Sequence, residues 1–136
     1  MAIVYRFKCP KCGEVQDAYE VKACKKCKTM IEMPTDGCIQ LYRMGNAMGV
    51  AAGMGIYLNG QPYGQIGNKQ SIRIPLPAGS YKLHIVQGMS RKCNDPVVEI
   101  KAGSRMLHCY KVHMKMGFWA NTMVIEPADF SEMPEE

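Results

Sequence analysis

The chain has 136 residues, enough for one ordinary core plus a small accessory module that needs its own staple. Its 47% hydrophobic and 21% charged residues exclude a disordered polymer. The net charge of +5 is uneven: residues 37–125 hold ten Lys/Arg against two Asp/Glu, and residues 126–136 hold five acids and no base. That pattern fits either a polyanion-binding surface shielded by the chain's own acidic tail, or the solvated outer face of a sheet domain.

The start, Met1 to Cys9, has no long apolar run behind a basic segment, so no secretory signal is expected and the expected location is cytoplasmic. Seven cysteines are an odd number, and four of them form two close pairs. In that setting reduced thiols and a metal are favoured over a disulfide framework.

The first strand signal is Ile3 to Phe7, followed by the pairs Cys9-Pro-Lys-Cys12 and Cys24-Lys-Lys-Cys27. Two residues between cysteines let the chain turn as a tight knuckle that aims both sulfurs at one ion. Pro10 and Gly13 suit such a turn, one by presetting φ and the other by permitting positive φ. Two knuckles supply four thiolates and close a tetrahedral Zn²⁺ shell with no position left for water, which implies a structural ion. An iron centre of the rubredoxin kind and a thiol-disulfide exchange pair are the competing readings. The second is weakened because neither pair opens a helical pattern.

Cys9, Cys12, Cys24 and Cys27 carry a resemblance to the zinc-ribbon family over about residues 3–34. Apolar positions at Val15 and Val21 around a polar turn let a short hairpin span the gap between the pairs, and the resemblance implies further strands at Ile3 to Phe7 and Thr29 to Met33. Lys11, Lys25, Lys26 and Lys28 crowd the knuckles. They are candidate nucleic-acid contacts, or cations that offset the roughly −2 charge of a zinc-tetrathiolate centre. No aromatic platform is interleaved with them to stack bases.

Pro34 and Gly37 mark a linker, after which strand signals dominate. Strands are expected at Cys38 to Met44, Gly55 to Leu58, Gln61 to Ile66, Gln70 to Leu76 and Ser80 to Gln87. Three more are expected at Pro96 to Ile100, Arg105 to Met114 and Phe118 to Glu126. Asn59-Gly60 between two apolar runs is a type I′ hairpin signal. Leu76-Pro77-Ala78-Gly79 has the residue order of a type I turn. About eight short strands and no credible helix argue an all-β sandwich. The turn residues Leu58, Asn59, Gly60 and Gly64, then Leu76, Pro77, Gly79, Tyr81 and Leu83, resemble the PEGA-type β-sandwich domains of bacteria. That resemblance covers roughly residues 38–127 and implies a non-enzymatic module.

The glycine-rich stretch from Met44 to Gly60 matches neither the phosphate-loop nor the dinucleotide template. It is also too broken by glycine to span a membrane. Met44, Met48 and Met54 make it a candidate partner-contact loop, since the thioether chain repacks easily; filling the edge of a small core is the plainer alternative. In the strand expected around them, His108 and Cys109 point to opposite faces, and Cys109 and His113 lie too far apart to share an ion. Cys93 stands in a polar loop, and pairing it with His84 or His113 as a nucleophile needs a fold contact that the sequence does not display. Phe118 and Trp119 read as strand packing.

The sequence therefore predicts an all-β chain with a zinc ribbon at 1–35, a β-sandwich at 38–127 and an acidic tail at 128–136. It predicts no catalytic residue, one structural Zn²⁺, and a binding or scaffolding role toward a protein partner, with no membrane contact. Nucleic-acid binding and thiol redox or metal handling are the alternatives.

Overall fold

A computed structural model describes residues 4–20, 23–44, 53–87, 92–115 and 122–133. Along the chain lie β1 (Val4–Lys8), β2 (Val15–Ala18), β3 (Gly37–Arg43), β4 (Met54–Leu58), β5 (Gln61–Ile66) and β6 (Ser71–Leu76). Then come β7 (Gly79–Val86), β8 (Lys92–Cys93), β9 (Val97–Ile100), β10 (Met106–Lys115), β11 (Thr122–Pro127) and a short 3-10 turn, Phe130–Glu132. The architecture is all-β: a seven-stranded sheet in the order β2-β1-β6-β3-β10-β11-β8 and a four-stranded antiparallel sheet in the order β5-β4-β7-β9.

Alternation of apolar and polar residues builds the core between the sheets. One sheet turns Ile39 and Leu41, Ile72 and Ile74, Val112, Met123 and Ile125 inward; the other turns Ile56, Leu83, Ile85, Val98 and Ile100 against them. Each fully buried Ile or Leu stabilises the fold by about 1.5–3 kcal/mol relative to exposure. Tyr110 and Met114 pack on this cluster and Cys109 lies on the opposite face of β10, as the alternation predicts.

The Asn59-Gly60 turn joins β4 to β5 with φ of 51° and 77°, both in the left-handed region that a type I′ turn needs. A register shift between Gly55 and Tyr57 leaves an extra residue on β5, where Gly64 has φ of 80°. That is a bulge built on glycine.

Several expectations are corrected. The segment Leu76 to Gly79, where the PEGA-type resemblance implies a second hairpin, closes none: β6 belongs to the larger sheet and β7 to the smaller, so the chain crosses between layers there. Thr29 to Met33 forms no strand beyond one bridge between Ala23 and Met30. Lys92–Cys93, read as loop, pairs in parallel with Thr122 and Met123, a two-residue contact too short for sequence periodicity to reveal. Met54 is 3% exposed and belongs to the core, because it occupies an inward position of β4. It therefore offers no contact surface. Met44 is exposed, whereas Met48, Phe118 and Trp119 lie outside the described residues.

The cysteine-bearing hairpin joins the larger sheet directly. β1 pairs antiparallel with β2 and parallel with β6 through Val4 to Ile72 and Tyr5 to Arg73. At the exit from the knuckles, Asp36 ties three segments together. Its carboxylate accepts from the backbone N–H groups of Ala78 at 3.1 Å and Gly103 at 2.8 Å, and its carbonyl accepts from Arg105 N–H at 2.7 Å. The Gly103 and Ala78 N–H groups also hold the Asp36 carboxyl below its ordinary pKa. Its contribution to stability is therefore present above the unfolded carboxyl range and is lost as pH falls through the lowered value.

The acidic tail folds back on β10. Glu132 lies 2.9 Å and Glu126 3.5 Å from Lys111 Nζ, and Met133 is buried. Part of the basic charge of the middle segment is thus compensated within the chain. Among the described residues, no helix is long and apolar enough to cross a membrane.

Candidate metal centre

The two knuckles repeat one backbone pattern. In the first, Gly13 N–H donates to Cys9 C=O at 2.9 Å and Cys9 N–H to Glu14 C=O at 3.0 Å. The second repeats both bonds, from Lys28 N–H to Cys24 C=O at 3.0 Å and from Cys24 N–H to Thr29 C=O at 2.9 Å. The equivalent residues Gly13 and Lys28 both adopt left-handed backbone, with φ of 78° and 64°.

This geometry gathers the sulfurs of Cys9, Cys12, Cys24 and Cys27 within 4.8 Å of one another. Cys9 Sγ is 3.7 Å from Cys27 Sγ, and Cys12 Sγ is 3.5 Å from Cys24 Sγ. A tetrahedron with metal–sulfur bonds of about 2.3 Å has edges of about 3.8 Å, so the four thiols already span a metal-sized shell. Cys9 and Cys24 are buried, Cys27 is half-buried and Cys12 is exposed.

Donors around the cluster suit negative sulfur. Cys12 N–H points to Cys9 Sγ at 3.5 Å, and the N–H groups of Lys26 and Cys27 point to Cys24 Sγ, each at 3.4 Å. The Cys27 N–H, aided by Gln16 and Lys26, brings the Cys24 thiol down to about 5. The Thr29 hydroxyl, 3.2 Å from its sulfur, lowers Cys27. At Cys12 the Glu14 N–H lowers the pKa, but partial desolvation of the sulfur and the three neighbouring sulfurs outweigh it and push the thiol up to about 12. The second knuckle thus favours the thiolate form more than Cys12 does. A bound cation removes that asymmetry by favouring every thiolate.

Gln16 and Arg6 support the cluster, and sequence reading passed over both. The Gln16 amide donates to Cys24 Sγ at 3.3 Å and its carbonyl accepts from Lys25 N–H at 2.8 Å, which fixes the second knuckle against β2. Arg6 is 5% exposed and grips Asp17 with two bonds of 2.6 and 2.9 Å. It also reaches Tyr63 C=O at 3.4 Å, and a Cβ on Gly64 would lie 3.0 Å from Arg6 Nη1. One side chain thus links the hairpin to the bulge of the smaller sheet. The only hint in sequence was a basic residue inside an apolar strand.

Three of the four knuckle lysines turn toward acceptors of the hairpin itself. Lys25 Nζ bonds Asp17 C=O, Lys28 Nζ bonds Lys25 C=O at 3.1 Å, and Lys26 Nζ lies 3.9 Å from Glu14; Lys11 is exposed. Away from the knuckles, His113 lies 3.6 Å from Glu126, and Cys109 is buried beneath the tail, its C=O accepting from Ala128 N–H at 2.9 Å.

Compared with known proteins, the chain matches no family model and no curated protein.

Proposed function

We propose that this chain is a non-catalytic, cytoplasmic zinc protein whose N-terminal hairpin is a ribbon-like knob fixed by one structural Zn²⁺, and whose role is to present surfaces to a protein partner. The observation that carries the zinc reading is the sulfur spacing of 3.5 and 3.7 Å across two matching knuckles. Cys9, Cys12, Cys24 and Cys27 would hold the ion, which would supply structural cross-linking and leave no position for substrate. The partner reading is supported by large apolar side chains left in solvent on the knob and beside it, with Tyr19 71%, Met30 76% and Met106 56% exposed. Next to Met106, a cavity of about 400 Å³ opens between Met33, Pro34, Tyr5 and Leu107, with Arg73 and Arg105 at its wall. Nucleic-acid binding is less well supported, because the knuckle lysines mostly address acceptors of the hairpin.

Elemental analysis of exhaustively dialysed protein tests the metal. One zinc per chain is expected to survive dialysis and to leave only with a strong chelator, at which point amide protection in β1 and β2 falls. Iron in its place, or four freely titratable thiols in the protein as isolated, would overturn the zinc reading. A salt titration with single-stranded and duplex nucleic acid is expected to stay flat. Affinity that falls steeply with salt and weakens in K25E/K26E would replace the protein-partner reading.

A further inference from the structure

Among the described residues, a second group of metal-ligating side chains converges far along the chain from the knuckles. His84, Cys93 and Asp95 bring one nitrogen, one sulfur and one oxygen within 4.8 Å of one another. His84 stands on the outer face of β7, its ring centroid 5.9 Å from that of its cross-strand partner Tyr57. Cys93 closes β8, and the segment to Pro96 carries the chain from the larger sheet to the edge of the smaller one.

That crossing is firmly held. The Asn94 side chain donates to Ile125 C=O and accepts from Ile125 N–H, both at 2.8 Å, and Pro96 C=O accepts from Leu83 N–H at 3.0 Å. Between these anchors Asp95 takes left-handed backbone, with φ of 47°, and sets its carboxylate 2.6 Å from His84 Nδ1. A backbone held in that conformation at the point where three ligand types meet is a reason to look for chemistry.

We propose that His84 Nδ1, Cys93 Sγ and an Asp95 carboxylate oxygen bind a second divalent transition metal ion, Zn²⁺ in the first instance, in a three-ligand site with its fourth position open. On binding, the Cys93 thiol gives its proton to solvent, the proton held between His84 Nδ1 and Asp95 is also released to solvent or exchanged to Nε2, and that contact is replaced by two bonds to the metal. Bonds of about 2.0–2.1 Å to nitrogen and oxygen require the two atoms to part to about 3.3 Å. That is a shift of roughly 0.7 Å, within reach of two side chains that are each 29% exposed. The open position faces a surface cavity of about 390 Å³ lined by Tyr57, Gly60, Lys82 and Val86, where a water or a small anion completes the shell. Lys82 Nζ lies 3.8 Å from the second Asp95 oxygen and opposes the cation. It holds this site below the affinity of the four-thiolate cluster.

The test is a zinc titration of dialysed full-length protein against a chromophoric chelator, with the chain first confirmed folded by circular dichroism. Wild-type protein is expected to saturate at two ions per chain, one of them weaker. C93S and H84Q should each lose the weaker equivalent and keep the tight one. K82M should bind the weaker ion about threefold to tenfold more tightly, which no purely structural role for this cluster would produce. Saturation at one ion, or a second equivalent that survives in H84Q, overturns the assignment, and H84Q suffices should C93S fail to fold. The proposal does not rest on the four-cysteine site, since loss of the tight ion in C24S reports on that site alone.

Discussion

Between Val4 and Met30 the buried side chains are Arg6, Phe7, Cys9, Gln16 and Cys24, whereas between the two sheets they are almost all Ile, Leu, Val and Met. Among the described residues the first region thus buries one large apolar side chain, Phe7, and depends on polar struts and converging thiols. The second depends on removing apolar surface from water. Thirty residues cannot bury enough apolar area to offset their own conformational entropy, so the hairpin needs the sulfur cluster and the edge of the larger sheet. Opposite responses to the same perturbations follow from this difference.

The largest effect should come from removing the ligand that the hairpin cannot replace. C24S removes the buried sulfur that accepts from Gln16, Lys26 and Cys27. It is expected to abolish tight zinc binding, whose apparent free energy in small zinc modules is about 10–16 kcal/mol. Hydrogen exchange should then show β1 and β2 open while β3, β6 and β10 stay protected. Ile74→Ala is the mirror experiment. It empties a fully buried position opposite Ile39 and should cost about 2–5 kcal/mol in denaturant unfolding while leaving the zinc stoichiometry at the knuckles unchanged. Equal loss of β10 protection in C24S would show that the two regions fold as one.

Arg6 is where the regions meet, so it decides how separate they are. R6M should leave Asp17 without its bidentate partner and remove the bond to Tyr63 C=O. The expected loss is about 2 kcal/mol, between the values for exposed and buried pairs because Asp17 is 37% exposed. In differential scanning calorimetry the wild type is expected to unfold in one transition, and R6M to broaden or split it. An unchanged, sharp transition would mean that sheet pairing of β1 with β6 alone couples the regions.

How much of this could be read in advance differs between the regions for the same reason. The sandwich strands were legible because burial on one face writes a period of two into Ile72, Ile74 and Leu76, or Tyr81, Leu83 and Ile85. The Asn59-Gly60 turn was legible because few residue pairs accept positive φ twice. Which strands pair was not: Leu76 to Gly79 reads the same whether it closes a hairpin or crosses between sheets. The four cysteines announced themselves by spacing. Gln16 and Arg6 did not, because a polar side chain that orients a thiolate looks like any solvated residue until its partner is placed. His84 and Cys93 are a stronger case, nine residues apart in sequence and brought together only in the folded chain.

Gln16 therefore offers a finer probe of the hairpin than the cysteines do. Q16A keeps all four thiolates but deletes a donor to Cys24 Sγ and the acceptor of Lys25 N–H. Outer-shell hydrogen bonds of this kind typically matter by 10- to 100-fold in metal affinity, and a loss in that range is expected in a competition titration with a chelator. The melting of the sandwich should not move.

The smallest effect tests the likeness of the two knuckles. Gly13 and Lys28 occupy equivalent positions with φ of 78° and 64°, yet only the first is a residue for which that conformation is free of strain. K28G should relieve the second knuckle, and the gain is partly cancelled by the greater freedom of glycine in the unfolded chain and by the lost bond from Lys28 Nζ to Lys25 C=O at 3.1 Å. The net expectation is a stabilisation of the zinc-bound hairpin of no more than about 1 kcal/mol, with zinc release slowed in proportion. G13A should do the reverse and cost about 1–2 kcal/mol, since its Cβ would make only an ordinary contact with the Lys8 side chain at 3.9 Å and only the backbone objects. If K28G instead weakens zinc retention, the ammonium contributes more to offsetting the charge of the cluster than the left-handed backbone costs. The lysines would then be part of the metal site in their own right.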